Sequence, residues 1–225
     1  MVEYRIISIG TLSRNRLWGE STAARTAHAT TTLVRDGDRA ILVDPSLPTA
    51  ALEARFGERT GGRLADVTDV FCTTLRPVHR RALEALSDAR WWTHETELET
   101  YRHHLEGLAD SAGRLNPEQV RDVQADLTLL QRFEPAPDKL TEQVQLFPLA
   151  GASPGSAGLL LADPRMTVVV AGDAAVTSEH LLAGQVWDGV GDVSAAAGAL
   201  RDLVEVADVV VCGHDNLTLL SQQWL

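Results

Sequence analysis

The chain has 225 residues, 44% of them apolar and 23% charged, which is enough for an ordinary buried core. Its net charge is -11, and Lys139 is its only lysine; such an acidic chain repels phosphate backbones, so nucleic acid is not an expected partner. No apolar run reaches the roughly 18 residues that cross a bilayer, and the first residues are too charged for a secretory leader, so a cytoplasmic protein without a membrane partner is expected.

Residues 4–9 read as a first strand, and residues 14–27 as a polar, irregular loop containing Trp18. Residues 30–34 and 39–43 are β-branched runs on either side of Asp36-Gly37-Asp38, a strong hairpin signal. Residues 50–56 have helical spacing, and Gly61-Gly62 stops them. Residues 67–72 read as a strand, 78–86 as a helix and Trp91-Trp92-Thr93 as a short strand. Two longer helices are expected over 96–108 and 117–133, the second with Asn116 as N-cap and Pro117 at its first position.

Pro135-Ala136-Pro137 breaks the chain. Strands follow over 143–147, 157–161 and 167–171, then a helix over 194–204 and an apolar strand over 207–212. Strand-rich halves on both sides of residue 135 suggest two sheets within one domain spanning 1–225. Cys72 and Cys212 each end an apolar run and read as small buried hydrophobes, not as a disulfide. Trp91 and Trp92 read as exposed; with Trp224 they are candidates for a contact between copies in a homo-oligomer.

Chemistry-bearing residues recur where strands end. Asp44 follows Ile41-Leu42-Val43, and Thr74-x-Arg76-x-Val78-His79 follows the strand ending near Cys72. Gly151-Ala152-Ser153-Pro154-Gly155-Ser156 is a Gly/Pro turn. Gly172-Asp173 and Gly213-His214 each close an apolar run. In this order and spacing the set resembles the metallo-β-lactamase superfamily. That family carries a strand-ending aspartate, a His-x-His-x-Asp-His loop, a Gly-His-Thr-Pro-Gly-Ser turn, a Gly-Asp segment and a final histidine. The resemblance implies an α+β fold, a four-layer αβ/βα sandwich of two mixed sheets with helices outside and the site at one edge.

It also implies a site that has lost ligands. By the family's pattern the first metal would take positions occupied here by Thr74, Arg76 and Ala152, none of which offers a usable ligand. The second would take Val78, His79, Asp173 and His214, of which three remain. Two imidazoles and a carboxylate suffice for one Zn²⁺ or Fe²⁺ ion. At most one ion is therefore expected, held by His79, Asp173 and His214, with Asp173 and Arg76 as the catalytic candidates.

Arg76 lies within reach of Asp173 in that geometry. It would either form an ion pair that occupies the carboxylate the metal needs, or act as a fixed positive charge on a substrate oxygen. His28 precedes the hairpin and is expected near Asp44, as a hydrogen-bond partner or a replacement ligand. His94, His103, His104 and His180 have no ligand-like context. Ser153 and Ser156 lack the strand and helix of a nucleophile elbow.

Two functions stay open at this point. One is a hydrolase acting on a small ester, thioester, lactone or phosphoester; the other is a metal-free, inactive member of the fold used for binding or structure. The helical insert over 96–133 is expected to line the substrate pocket.

Overall fold

The fold follows from strands that are apolar on both faces, each face covered by a different layer. The structure, a computed structural model, describes residues 1–111, 113 and 115–220. Strands β1 (Glu3–Ser8), β2 (Thr31–Asp36), β3 (Arg39–Val43), β4 (Asp69–Phe71), β5 (Arg90–Thr93) and β6 (Phe133–Pro135) lie side by side in that order. The first three are antiparallel, and β2 and β3 close a two-residue turn in which Gly37 takes φ 61°, as the sequence signal requires. From β3 to β6 the pairing is parallel. Each parallel connection therefore crosses over, through helix α1 (Thr49–Thr60), through two short 3-10 turns, and through the helical pair α2 (Glu95–Asp110) and α3 (Pro117–Leu130).

The second sheet runs in the order β11-β10-β9-β8-β7. Its strands are β7 (Val144–Pro148), β8 (Ala157–Asp163), β9 (Met166–Gly172), β10 (Val209–Cys212) and β11 (Leu217–Leu219). Only β9 and β10 are parallel, and helices α4 (Ser178–Leu182) and α5 (Val193–Val206) connect them.

Period-two alternation sorts the side chains between layers. Val34, Ile41, Val43 and Phe71 of the first sheet meet Leu159, Leu161, Val168, Val170, Val209 and Val211 of the second. Their neighbours Leu33, Leu42 and Val70 point the other way, against Leu52 and Phe56 of α1 and Leu98, Leu105 and Val123 of α2 and α3. Val169, Ala171 and Val210 pack on Leu181 of α4 and on Leu200 and Leu203 of α5. The result is the four-layer αβ/βα sandwich of two mixed sheets. At about 1.5–3 kcal/mol per fully buried aliphatic or aromatic side chain, this double-sided burial is what holds the layers together.

The structure departs from the sequence expectations at four places. The helix expected over 78–86 is two 3-10 turns, Pro77–His79 and Leu83–Leu86. Tertiary bonds take over the groups a helix would pair: Ala82 N–H donates to the Pro45 carbonyl, while the Val78 carbonyl accepts from Ser46 Oγ. The helix expected to reach residue 133 ends at Leu130, and Phe133 instead opens β6 with its ring 5.5 Å from that of Trp91. Trp91 is buried, donating its indole N–H to the Leu86 carbonyl, and Trp92 is half-buried with its N–H on Asp69. Neither is therefore an exposed contact surface, and Trp224 lies outside the described residues. Helix α4 and strand β11 are elements the sequence did not announce. Among the described residues no helix is long and apolar enough to cross a membrane.

Candidate metal centre

The parallel pairs β3–β4 of the first sheet and β9–β10 of the second end at the same rim of the sandwich, and the residues after each strand form the site. Asp44 follows β3, Thr73 to His79 follow β4, Asp173 follows β9 and His214 follows β10. The glycines before the last two are required by close approach. A Cβ on Gly172, at φ 54°, would sit 2.4 Å from Thr73 Oγ1, and one on Gly213 would sit 2.4 Å from the Gly172 carbonyl oxygen. Glycine at 172 lets the end of β9 approach the loop after β4 of the other sheet, and glycine at 213 lets the ends of β9 and β10 lie together. Asp44 has φ 49°, alone among the described non-glycine residues in the left-handed region. Such a conformation costs on the order of 1–3 kcal/mol and persists where the surroundings hold it. Here they do: the Asp44 carboxylate accepts from the Thr73 backbone N–H at 2.9 Å and the Thr73 hydroxyl at 2.7 Å.

The two imidazoles are anchored through Nδ1 and converge through Nε2. His79 Nδ1 lies 3.0 Å from Asp44 Oδ2, and His214 Nδ1 lies 3.1 and 3.0 Å from the Thr11 and His28 carbonyls. Carboxylates and carbonyls accept only, so both Nδ1 atoms carry hydrogen. His214 Nε2 is 3.1 Å and His79 Nε2 is 3.2 Å from the same oxygen, Asp173 Oδ1. His79 Nε2 is off the hydrogen-bonding direction and is one of the buried polar atoms left without a partner. All three groups are buried, and their ligand atoms lie within 4.8 Å of one another. Bonds of about 2.0–2.2 Å to one tetrahedral ion separate its ligand atoms by roughly 3.3–3.6 Å, a little more than the 3.1 and 3.2 Å from Asp173 Oδ1 to the two Nε2 atoms. The donor set fits one ion, and the Nδ1 anchors are the outer partners that fix a metal-binding ring.

Without an ion the same groups form a charge cluster. Burial alone would lower the pKa of His79, but the carboxylates of Asp173 and then Asp44 outweigh it and hold the ring up to about 10. Burial alone would raise the pKa of Asp173; His79 and His214 outweigh it and keep this carboxyl well below the usual carboxylate range.

The positions of the other family ligands hold no metal donor. The Arg76 guanidinium fills that side of the site, with Nη1 3.0 Å from Asp173 Oδ2 and Nη2 donating to the carbonyls of Ala152 and Gly189 at 2.6 and 2.9 Å. The ion pair expected from the sequence is thus present, yet it takes only Oδ2 and leaves Oδ1 to the histidines. Thr74 donates to Glu97 Oε1, which also accepts the Leu75 N–H, while Ser153 donates to Glu97 Oε2. Glu97 is a buried carboxylate that sequence reasoning missed. It shares the first turn of α2 with Glu95, with nothing in the local sequence to set it apart, and only the fold places it under the site.

His28 is neither a ligand nor a partner of Asp44. Its ring bonds to the Ile9 carbonyl at 3.0 Å, because the Thr11–His28 bridge turns the side chain outward and leaves only its carbonyl at the site. His94 caps helix α2, and His180, within α4, bonds through Nδ1 to Thr177, the residue that caps that helix. From the insert over 96–133, Glu97 meets the site's own loops, and Tyr101 and Asp126 bind Arg80 just behind it.

The chain belongs to the metallo-beta-lactamase superfamily, whose sequence profile matches residues 25–214. Solved structures agree in fold. A Thermotoga maritima protein proposed to be a metallo-beta-lactamase is 18% identical with a TM-score of 0.69, over 97% of this chain and 99% of that one. AidC, a dizinc quorum-quenching lactonase, is 15% identical with a TM-score of 0.67, over 86% of this chain and 75% of that one. An N-acyl homoserine lactone hydrolase with its product at the catalytic metal centre is 17% identical with a TM-score of 0.63, over 95% and 92%. At these identities the likeness is one of fold. No curated protein sequence matches the chain.

Proposed function

We propose that this protein is a small-molecule hydrolase that works with at most one ion, Zn²⁺ or Fe²⁺, held by His79, Asp173 and His214. The observation that carries this reading is the pair of ring nitrogens converging on Asp173 Oδ1 while both Nδ1 atoms are tied to acceptors, with His79 Nε2 left without a hydrogen-bond partner. When bound, such an ion supplies Lewis-acid polarisation and lowers the pKa of water at its open position. The chain's own residues do the rest. Asp44 and the Thr11 and His28 carbonyls fix the tautomer and direction of the two rings. Asp173 presents one oxygen to the ion and keeps the other on Arg76. The Arg76 guanidinium holds a positive charge in place of a second ion, where it stabilises charge developing on a substrate oxygen.

Esters, thioesters, lactones and phosphoesters all suit this chemistry. Structural neighbours named as lactonases, one with N-hexanoyl-L-homoserine at its metal centre, make N-hexanoyl-homoserine lactone the first substrate to try. The test is metal content of the purified protein, with His79→Ala and His214→Ala as controls, alongside lactone hydrolysis. About one ion per chain in the wild type, lost in both variants together with hydrolysis, is the expected result. A protein without metal at neutral pH refutes the mechanism.

The seat of Arg76 favours a second reading, a metal-free binding member of the fold, because its guanidinium already occupies the first-ion side through three hydrogen bonds. Restoring Thr74→His, Arg76→His, Val78→Asp and Ala152→His separates the two. Metal uptake and hydrolysis gained only on restoration mark the natural chain as metal-free.

A further inference from the structure

We propose that Trp187 is the substrate-facing wall of the site, that with Arg76 it recognises the carbonyl or carboxylate oxygen of an acyl compound, and that Asp188 latches it there against Arg14 and Arg16. This rests on the hydrolase reading and narrows its substrates to acyl compounds.

The indole of Trp187 covers the two groups that matter. Its ring lies 5.2 Å from the Arg76 guanidinium carbon and 6.4 Å, centroid to centroid, from His214. The next residues cross the remaining width of the site: the Gly189 carbonyl accepts from Arg76, and Gly191 N–H donates to the Gly151 carbonyl in the 151–156 turn. Trp187 and the segment after it therefore span from Arg76 to the turn that would bear a metal ligand in the family pattern.

The donors left over define the ligand. Arg76 spends one Nη1–H on Asp173 and both Nη2–H on carbonyls, so its Nε–H and second Nη1–H have no acceptor among the described residues. The indole N–H of Trp187 likewise meets no described acceptor and is not among the sealed-off polar atoms, so it opens to solvent. With both Nη2–H groups taken, neither planar fork of the guanidinium is whole, so the remaining N–H groups each offer a contact to one oxygen at a time. That suits a carbonyl oxygen, or one oxygen of the product carboxylate, better than the bidentate grip that a phosphoester calls for.

The latch comes from a different part of the chain. Residues 11–28 leave and return at His214, whose Nδ1 touches the carbonyls of both Thr11 and His28. Their tip reaches Asp188, which accepts from Arg14 Nη2 at 2.7 Å and Arg16 Nε at 2.6 Å; Trp18 Nε1 adds a bond to Glu179 at 3.2 Å. The three charged side chains are 26–64% exposed. Ion pairs this exposed are weak and screened by salt, so the latch opens without unfolding anything beneath it.

The experiment uses the purified protein and its variants Trp187→Phe, Trp187→Ala and Asp188→Asn, each checked by thermal melt and metal content. Butyrate binding without added metal is read by ligand-observed NMR, and hydrolysis is read with 4-nitrophenyl butyrate and bis(4-nitrophenyl) phosphate. Butyrate affinity is expected to fall about threefold in Trp187→Phe, which keeps the face and loses the N–H, and tenfold or more in Trp187→Ala. The KM for the ester should rise several-fold with salt in the wild type and should start high and stay flat in Asp188→Asn. Butyrate affinity within twofold of wild type in folded Trp187→Ala overturns the proposal, as does faster turnover of the phosphodiester or an unchanged salt response in Asp188→Asn. A chain without metal or turnover refutes the hydrolase reading instead, while butyrate binding by the Trp187 variants still decides the wall.

Discussion

Asp44→Ala is the most searching single substitution, because one carboxylate holds three buried donors around one metal ligand. Its removal strands the Thr73 N–H, bonded at 2.9 Å, and His79 Nδ1–H, at 3.0 Å. The Thr73 hydroxyl, now at 2.7 Å from Asp44, loses its acceptor as well; its oxygen can take the His79 Nδ1–H at 3.4 Å, which leaves two donors of the three unpaired. Thr73 is 2% and His79 0% exposed, so solvent does not replace the lost acceptor. An unpaired buried donor costs about 1–3 kcal/mol, so two of them give roughly 4 kcal/mol. Alanine at φ 49° relieves none of the backbone strain. At about 2–4 °C per kcal/mol for a chain of this size, the melting temperature of the metal-free protein should fall by about 8–16 °C. Zinc affinity should fall about 10–100-fold, because the ring of His79 is no longer held. Asp44→Asn keeps an acceptor for the Thr73 N–H and should lose about half the stability. Differential scanning calorimetry in EDTA and zinc competition with a chromophoric chelator measure both. Melting within about 2 °C of wild type and zinc affinity within threefold would refute the reasoning.

Arg76→Met takes the guanidinium from a buried carboxylate but leaves the histidines on it. Because Arg76 is 28% exposed, the loss should be about 2–3 kcal/mol, below that of a fully buried pair, with metal content retained and hydrolysis reduced tenfold or more; metal analysis beside kinetics checks this, and loss of the ion would contradict it. Glu97→Ala leaves the Thr74 and Ser153 hydroxyls and the Leu75 N–H without their acceptor, and urea titration should show a loss of about 3–5 kcal/mol, with Glu97→Gln milder. The metal-free protein should also lose stability at both ends of the pH scale. His79 is raised from 6.5 to about 10, so its contribution is complete below 6.5 and disappears as pH climbs through 10. Asp173 is depressed below 3.8, so its contribution is present above that value and disappears on acidification. Denaturation midpoints in EDTA across pH should show both limbs, and His79→Gln should remove the alkaline one; a flat alkaline limb in the wild type would contradict the cluster.

The fold was legible because each piece of evidence was local. Strand ends at Val43, Gly172 and Cys212 come with an abrupt change from apolar to polar residues, and Asp36-Gly37-Asp38 and Asn116-Pro117 name their own turn and cap. His79, Asp173 and His214 were legible as a set only through the order of motifs along the chain, since nothing nearby in sequence distinguishes them from a turn histidine or a turn aspartate. What stayed hidden depended on distant contacts. Pro45 and Ser46 unmake the helix over 78–86 from more than 30 residues away. Glu97 acquires its role from Thr74 and Ser153, and His28 turns outward because its strand-like bridge with Thr11 sets the side-chain direction. Trp187 reaches the site from the loop between α4 and α5, which has no periodic signal at all.

The most direct test of the convergence of His79, Asp173 and His214 is X-ray absorption at the zinc edge after loading with one equivalent of zinc. The expected spectrum has two imidazole nitrogens and one carboxylate oxygen at about 2.0–2.2 Å, with the imidazole signal halved or the zinc lost in His214→Ala. Zinc that does not bind, or a shell containing sulfur from Cys72 or Cys212, would contradict it.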